Sequence, residues 1–205
     1  DKKINIIVNC AAYTKVDLAE EHQVIANLIN NVAVKNLAEI VKKHAIKLVH
    51  ISTDAVFDGT NNIPYKEDDI VNPLSEYSRS KREGENQLIE INPLNTIIIR
   101  TSWVYSSYGN NFLKTMIRLG EIQPEIDVVY DQIGTPTYAK DLVKTILDIL
   151  PQVNNTKVEI YHYTNEGVLS WYDFSKEIIK ILKINVKVNP IETKDYSTLA
   201  IRPHY

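Results

Sequence analysis

Lys47-Leu-Val-His-Ile-Ser-Thr-Asp54 is a short apolar run that ends in small polar residues. Runs of this kind are typical of buried strands in parallel sheets. In open α/β folds, ligands bind in the crevice outside the carboxyl ends of such strands. The run therefore predicts a buried strand that delivers Ser52 and Thr53 to a ligand crevice.

Two further apolar runs end in the same way. Thr96-Ile-Ile-Ile-Arg100 leads into Thr101-Ser-Trp103, and Asn5-Ile-Ile-Val8 leads into Asn9-Cys-Ala-Ala-Tyr-Thr14. Because parallel strands end at one edge of a sheet, we expect the three strand ends to converge on one pocket. The alternative is that each is an ordinary transition from strand to loop, where Ser, Thr and Asn are common.

Tyr77-Ser-Arg-Ser-Lys81 follows the first run by about one helix. Residues four apart share a helix face, and an ammonium beside a phenol lowers the tyrosine pKa from about 10. Such a tyrosine can exchange a proton with a carbonyl oxygen, which the hydroxyl of Thr53 could hold. The spacing alone is weak evidence, and the alternative is a helix whose Tyr packs while its Lys is solvated.

Strands and helices alternate along the chain, which predicts an α/β fold with a parallel sheet and helices on both faces. Pro93 is expected to end the helix that carries Tyr77. Further elements are expected as helices at residues 28–44, 74–91, 112–119, 139–150 and from the Ser170-Trp-Tyr-Asp173 capping box to about 182, and as strands at 127–130 and 159–163.

Composition excludes several classes of protein. With 44% hydrophobic and 24% charged residues, the chain fits a globular protein with a sizeable core. A net charge of −3 without a basic block argues against nucleic-acid binding, and no apolar run approaches 18 residues, so no membrane span is expected. The single Cys10 permits no intrachain disulfide and favours a reducing, cytoplasmic location. The scattered histidines predict no metal site.

Seven segments occur in an order that resembles a known family over essentially the whole chain. They are residues 9–14, Ser52-Thr-Asp-Ala-Val-Phe-Asp-Gly59, Tyr77 with Lys81, Arg100-Thr-Ser-Trp-Val-Tyr105, Gly109-Asn-Asn-Phe112, Asp131-Gln-Ile-Gly-Thr-Pro-Thr137 and Ile160-Tyr-His-Tyr163. Together they resemble the dTDP-4-dehydrorhamnose reductase family of the extended short-chain dehydrogenase/reductases.

The resemblance implies an oxidoreductase that uses NADPH or NADH. It would reduce the C4 ketone of dTDP-4-dehydro-L-rhamnose to dTDP-L-rhamnose, in cell-surface polysaccharide biosynthesis. By position, Tyr77 would protonate the C4 oxygen and Thr53 would bind that oxygen. Lys81 would hydrogen-bond the nicotinamide ribose and lower the pKa of Tyr77.

The resemblance also implies further binding residues. Those expected beside the cofactor, with Tyr77 and Lys81, are Cys10, Ala11, Ala12, Tyr13 and Thr14. Those expected at the substrate, with Thr53, are Asp54, Trp103, Asn110, Asn111 and Arg202. Simpler roles stay open: Trp103 as a core residue, the two asparagines as caps of the following helix, and Arg202 in a surface salt bridge rather than on a diphosphate.

The implied fold is a Rossmann-like doubly wound sheet that is incomplete at its N-terminus. Residues 1–105 would be the remainder of the dinucleotide-binding domain with the catalytic helix, and residues 106–205 a small mixed substrate-binding lobe interleaved with the last sheet strands. No two of the six glycines form a glycine-rich phosphate loop. The resemblance implies about two βα units before residue 1, so these 205 residues alone are expected to bind NADPH poorly and to be inactive. A shortened homologue that has lost cofactor binding is the alternative.

Two departures from the family pattern are Ala55, where Tyr is usual, and Ser78, where Gly is usual. Ala55 removes a ring expected to line the pocket, so one rival is a related nucleotide-sugar reductase or epimerase with another substrate. The other rival is a non-catalytic regulatory subunit that resembles the methionine adenosyltransferase beta subunit. The intact Thr53, Tyr77 and Lys81 favour an enzyme over this role. The expected partners of the enzyme are a dTDP-4-keto-6-deoxy sugar and a second copy of the chain in a homodimer.

Overall fold

A computed structural model describes residues 3–205. Within this range the strands are β1 (Ile6–Asn9), β2 (Lys47–Thr53), β3 (Thr96–Thr101), β4 (Val104–Tyr105), β5 (Glu125–Val129), β6 (Ile133–Gly134), β7 (Thr137–Tyr138), β8 (Glu159–His162), β9 (Leu169–Ser170) and β10 (Lys187–Ile191). The α-helices are α1 (Val16–Glu21), α2 (Gln23–Asn27), α3 (Ala33–His44), α4 (Glu76–Ile91), α5 (Phe112–Ile122), α6 (Ala139–Ile149) and α7 (Trp171–Leu182).

The largest sheet has the strand order β1-β2-β3-β8, and all of its strands run parallel. Its two central strands are buried along most of their length, which agrees with their near-continuous apolar sequence. Asn9 pairs with His50, and Thr53 pairs with Thr101. The parallel register therefore brings the three strand ends to one edge, as expected.

Side chains that alternate along β2 and β3 fill two separate cores. Leu48 and Ile98 pack with Val34 of α3 and Leu88 of α4 on one face. Val49, Ile97 and Ile99 pack with Leu142 and Ile146 of α6 on the other face. The prediction of a Rossmann-like, doubly wound α/β fold is confirmed.

The helical run before β2 is longer than the predicted 28–44. It begins with α2 at Gln23 and passes through a π-helical segment, Leu28–Val32, before α3. This segment lies against Gly84 of α4, where an added Cβ would come within 2.2 Å of the Asn30 carbonyl oxygen. The two helices therefore approach each other as closely as a glycine allows.

This run also qualifies the expectation that no segment could span a membrane. Gln23–His44 comprises 22 residues, and an 18-residue window within it has a mean hydropathy of 1.2, which is long and apolar enough by length and composition alone. Its buried residues Ala26, Val34, Ala38 and Val41 alternate with exposed ones, and Val34, Ala38 and Val41 pack against the sheet and α4. The run is therefore placed here as a helix of the α/β layer.

The helix that carries Tyr77 begins and ends at local caps. Ser75 accepts a hydrogen bond from the Ser78 N–H at its start. It ends at Ile91, and Asn92 takes a left-handed conformation with φ of 49°. The predicted end of the helix at residue 91 is confirmed, with the left-handed cap lying directly before Pro93.

The second half of the chain forms a smaller layer and also returns to the large sheet. The parallel pair β5–β10 packs on α5 and α7 around Met116, Ile126, Ile178 and Val188. The strand β5 begins two residues before the predicted 127, and the predicted capping box of Ser170 and Asp173 is confirmed. Between these elements, β8 adds a strand to the large sheet and α6 packs on its face. The division into two domains at residue 105 therefore stays a prediction.

Candidate active site

A cavity of about 400 Å³ opens beyond the ends of β2 and β3. We refer to it as the strand-end cavity. Six of the residues predicted for the site line it: Thr14, Thr53, Asp54, Tyr77, Trp103 and Arg202. Ala55, Gln132 and Trp171 also contribute to its wall. The structure thus brings residues from seven separate parts of the sequence to one place.

Thr53, at the end of β2, interacts with Tyr77 of α4. Its hydroxyl donates to Asp54 Oδ1 at 3.1 Å and accepts from the Ala55 N–H at 3.2 Å. The same hydroxyl interacts with the phenol of Tyr77 in a way that favours the phenolate. A hydroxyl has one proton, so Thr53 must turn that proton away from Asp54 to hold a reacting oxygen.

Asp54 lies at the first turn after β2, next to Thr53. Burial raises the pKa of its carboxyl to about 6, although hydrogen bonds from Thr53 and from the main chain act in the opposite direction. The carboxyl therefore changes its charge within the pH range in which most enzymes work.

Tyr77 does not have the lowered pKa that its spacing from Lys81 predicts. Burial raises the pKa of the phenol to about 12, the Thr53 hydroxyl partly opposes this, and the Asp54 charge adds to it. Lys81 does not act on the phenol here, because its ammonium points toward β2. The expected lowering of the Tyr77 pKa is therefore wrong for this structure, and Tyr77 is an acid that keeps its proton at neutral pH.

Lys81 is buried beneath the cavity, with 2% of its surface exposed. Its Nζ donates to the Ile51 carbonyl at 2.7 Å and lies 3.5 Å from His50 Nε2. Burial lowers the pKa of Lys81 to about 8, while the nearby Glu85 and Cys10 act to raise it. The alternative of a solvated lysine is excluded by this position.

Asn30 is a residue of the site that the sequence reasoning missed. Its side chain accepts from the Tyr13 N–H at 2.8 Å and donates to the Tyr13 carbonyl at 3.1 Å and to Ser80 Oγ at 3.0 Å. It therefore fixes the segment after β1 against the helix of Tyr77. A buried Asn within an apolar helical pattern was the available signal.

Trp103 is part of the cavity wall, held between two neighbours. Its indole stacks on Trp171 with ring centroids 3.4 Å apart, and Gly134 packs against it so closely that a Cβ would come within 2.7 Å. Its backbone is left-handed, with φ of 45°. A bulky residue in this conformation is strained, and such strain is common at functional sites. Trp171 was not predicted as a site residue.

Arg202 lies where the strand-end cavity meets a second cavity of about 420 Å³, beside α5. We refer to the second one as the α5 cavity. Gln132 and Trp171 line both cavities as well. The Arg202 guanidinium pairs with Asp17 at 2.6 Å, and its other terminal nitrogen is buried with no hydrogen-bond partner among residues 3–205. The predicted salt bridge is present, and one donor group remains free for a ligand.

Other predicted residues lie outside the cavity wall. Asn111 caps α5 through a bond from the Lys114 N–H and donates to the Ser106 carbonyl, so its amide is engaged as a cap. Asn110 is exposed, as are Cys10 and Ala11 at the end of β1. Among residues 3–205, no three His, Cys, Asp or Glu side chains are grouped as a metal site would require.

Comparison with known proteins places these observations in a family. Residues 1–205 match the family described as the RmlD substrate binding domain. The chain is 45% identical over 210 residues to the dTDP-4-dehydrorhamnose reductase of Aggregatibacter actinomycetemcomitans, covering 98% of this chain and 71% of that protein. It is 36% identical over 200 residues to the dTDP-4-keto-6-deoxy-D-glucose reductase of Streptomyces niveus, covering 97% and 68%.

Two solved structures have the same fold with high similarity. The dTDP-4-dehydrorhamnose reductase of Clostridium acetobutylicum matches with a TM-score of 0.93 and 44% identity, covering 98% of this chain and 70% of that one. The dTDP-4-dehydrorhamnose reductase of Bacillus anthracis in complex with NADP matches with a TM-score of 0.93 and 42% identity, with the same coverage.

Proposed function

The chain belongs to the family of the RmlD substrate binding domain, and on this basis we propose that it acts in an NADPH- or NADH-dependent reduction of dTDP-4-dehydro-L-rhamnose to dTDP-L-rhamnose. The observation that carries the proposal is the convergence of Thr53, Asp54 and Tyr77 on one cavity. The product serves the biosynthesis of a cell-surface polysaccharide, and the protein acts in the cytoplasm.

The protein's part in the reaction is to hold the ketone and to supply a proton. With a pKa of about 12, Tyr77 is protonated at neutral pH and donates its proton to the C4 oxygen. Thr53 turns its hydroxyl from Asp54 to that oxygen and fixes its position. As negative charge develops on the oxygen, both hydroxyl groups stabilise it.

The residues around Lys81 fit a nicotinamide cofactor, which supplies the hydride when bound. Cys10 and Ala11 are small and exposed at the end of β1, so their main chain is open to a flat ring. Cys10 lies close enough to Lys81 to affect its pKa. Residues 10–14, Tyr77 and Lys81 would hold the nicotinamide ribose side of the cofactor.

The two adjoining cavities fit a nucleotide sugar rather than a free sugar. The strand-end cavity holds the hydroxyl groups that act on the ketone, and the α5 cavity is lined by apolar residues that suit a base. Arg202 lies between them with a free buried donor, where a diphosphate would link the two parts of the ligand. Trp103 and Trp171 form the wall on which the sugar rests.

The test is oxidation of NADPH by the full-length protein with dTDP-4-dehydro-L-rhamnose, compared with the Tyr77→Phe variant. Loss of the hydroxyl is expected to lower kcat by about 100- to 10,000-fold while the protein stays folded. Tyr108→Phe makes the same change at an exposed tyrosine and should retain full activity. Undiminished turnover in Tyr77→Phe would exclude Tyr77 as the proton donor.

A second candidate is the reduction of a different dTDP-keto sugar by the same residues. Ala55 lines the strand-end cavity and leaves space there that a tyrosine ring would fill. A panel of dTDP-4-keto-6-deoxy sugars, ranked by kcat/KM, separates the candidates. If Ala55 sets the preference, Ala55→Tyr changes this ranking, and an unchanged ranking would remove the argument. No turnover with any sugar would favour a regulatory, non-catalytic role.

A further inference from the structure

Lys81 is the last member of a row of polar groups that begins at the exposed main chain after β1 and ends in the buried interior. The Ala11 N–H donates to Asn9 Oδ1 at 3.2 Å, and Asn9 Nδ2 lies 2.9 Å from His50 Nδ1. On the other side of the ring, His50 Nε2 lies 3.5 Å from Lys81 Nζ. We refer to Ala11, Asn9, His50 and Lys81 as the polar row. His50 itself is fully buried.

The hydrogen bonds of Asn9 determine which nitrogen of His50 carries the proton. A neutral imidazole has one N–H and one lone pair. Because Asn9 directs its oxygen to the Ala11 N–H, it directs its NH₂ group to His50, whose Nδ1 must accept. The ring proton is therefore on Nε2, which faces Lys81. Burial and the charge of Lys81 hold the pKa of His50 well below 6.5, so the ring is neutral.

An N–H that faces an ammonium destabilises the protonated form of the lysine, because both groups are hydrogen-bond donors. Lys81 as an ammonium has only donors, whereas the neutral amine has a lone pair that can accept from His50 Nε2. His50 therefore favours loss of the Lys81 proton, in the same direction as burial. The groups that face Lys81 and act in the opposite direction are the Ile51 carbonyl of β2, Glu85 of α4 and Cys10 after β1.

We propose that His50 is a positioning residue for the reduction and acts through Lys81. Its Nε2–H sets how readily Lys81 loses its proton, and its bond to Asn9 links that property to the main chain at Ala11. The proposal deepens the proposed function and rests on it, because Lys81 and residues 10–14 are the groups assigned there to the cofactor. A change in the main chain at Ala11 would then alter the charge on Lys81.

The kinetic test is the pH dependence of kcat in His50→Gln. Tyr77 keeps its proton to about pH 12, so activity is expected to fall near pH 8 as Lys81 loses its proton. The Gln amide reaches the place of Nε2 and can turn its oxygen to the ammonium. The alkaline pKa is expected to rise by about one unit, a tenfold change in the ammonium-to-amine ratio. His44→Gln makes the same change at an exposed histidine and should leave the profile unchanged.

A purely structural role for His50 predicts a different result. His50→Gln would then lower the unfolding midpoint or the overall kcat without moving the alkaline pKa, and this outcome would overturn the proposal. If His50→Gln does not fold, the ring is examined directly in the unsubstituted chain. Imidazole ¹⁵N NMR is expected to show a proton on Nε2 and an unprotonated Nδ1 across the neutral range. A proton on Nδ1, or titration near pH 6.5, would equally overturn it.

The NMR measurement also separates this proposal from the proposed function. If no keto sugar is reduced by the unsubstituted protein, the reductase assignment fails. The tautomer of His50 in the same protein then still decides whether the polar row is ordered as described. A higher alkaline pKa in His50→Gln, together with a proton on Nε2 of His50 in the unsubstituted protein, supports both the proposed function and the role of His50.

Discussion

Lys81 is placed for function at a cost to the stability of the folded protein. A charged side chain that is 2% exposed has lost its hydration, and this lowers its pKa from the ordinary 10.5 to about 8. The Ile51 carbonyl replaces one water, and the nearby Glu85 carboxylate pairs with Arg82 and Arg100 instead. Keeping an ammonium at this position therefore costs folding free energy at neutral pH.

Lys81→Met is expected to be more stable than the unsubstituted protein at pH 7. The lowering of the Lys81 pKa from 10.5 to about 8 means that the buried ammonium destabilises the fold by about 3 kcal/mol at pH 7. The substitution removes this cost but also loses the hydrogen bond to Ile51, which is worth about 1 kcal/mol. Between pH 8 and 10.5 the unfolded chain holds more protons at this residue, so the contribution of Lys81 to the unfolding free energy rises with pH there.

Urea unfolding of both proteins at a series of pH values checks this prediction. The rise between pH 8 and 10.5 should be smaller or absent in Lys81→Met, which should also lose activity. Parallel stability curves for the two proteins would show that the ammonium is not destabilising where it lies.

At the scale of elements, α4 holds the site because it is fixed on both sides. Glu85 receives two bonds from Arg100 of β3, at 2.9 and 2.8 Å, and one from Arg82 at 2.8 Å. Burial acts to raise the pKa of Glu85, but Arg100 outweighs this and lowers it, so the carboxylate stays charged. On the opposite side, Gly84 lies against the π-helical segment. Tyr77 and Lys81 therefore sit on a helix with little freedom to shift.

Gly84→Ala is expected to destabilise the protein, whereas alanine usually stabilises the interior of a helix relative to glycine. The new Cβ would lie 2.2 Å from the Asn30 carbonyl oxygen, so the helices must separate, at a cost of about 1–3 kcal/mol. The shift of Asn30 should also weaken its bonds to Tyr13 and lower activity. Thermal and urea unfolding measure the first effect.

Glu83→Ala, at the neighbouring exposed position of α4, is the control and should change stability by less than about 0.5 kcal/mol. A Gly84→Ala variant as stable as this control would show that the two helices are not held at their closest approach.

At the scale of the whole molecule, the C-terminal segment ties the smaller layer to the first helices. Asp17 of α1 receives bonds from Arg202 at 2.6 Å and from the Ala200 N–H at 3.2 Å. The His204 carbonyl accepts from the Ile133 N–H at 2.7 Å. This segment therefore forms one side of the strand-end cavity and fixes the distance between its two walls.

Arg202→Gln is expected to raise KM for the dTDP sugar by about 10- to 100-fold, with little change in kcat, because a charge-assisted contact to the diphosphate is lost. Asp17→Asn removes the same ion pair but leaves the guanidinium in place. Its effect on KM should stay below about fivefold, since Asp17 is partly exposed. Equal effects of the two changes would mean that Arg202 serves only the salt bridge.

The strands and helices with continuous patterns were predictable from the sequence, and residues that act through distant contacts were not. β2, β3 and α4 follow from apolar periodicity and local caps. The direction of Lys81 could not be predicted, because it depends on the Ile51 carbonyl and His50 across a helix–sheet interface. For the same reason, spacing alone gave the wrong direction for the pKa of Tyr77, which burial controls.

The site was predicted best where strand ends supply it. Thr53 ends β2 and Thr14 lies in the segment that follows β1, so the parallel register brings both to the same edge of the sheet. Asn30 and Trp171 enter the site from helices, and their positions depend on how those helices pack. The left-handed Trp103 is set by its stack on Trp171, which no local pattern encodes.

The stacked indoles give this chain a built-in optical reporter. Its two tryptophans are Trp103 and Trp171, so all of its indole emission arises from one wall of the strand-end cavity. A sugar nucleotide that enters the cavity changes the solvent around that pair, and the near-ultraviolet circular dichroism of the coupled rings changes with it. Occupancy can therefore be titrated without a label and without turnover, in variants that have lost all activity.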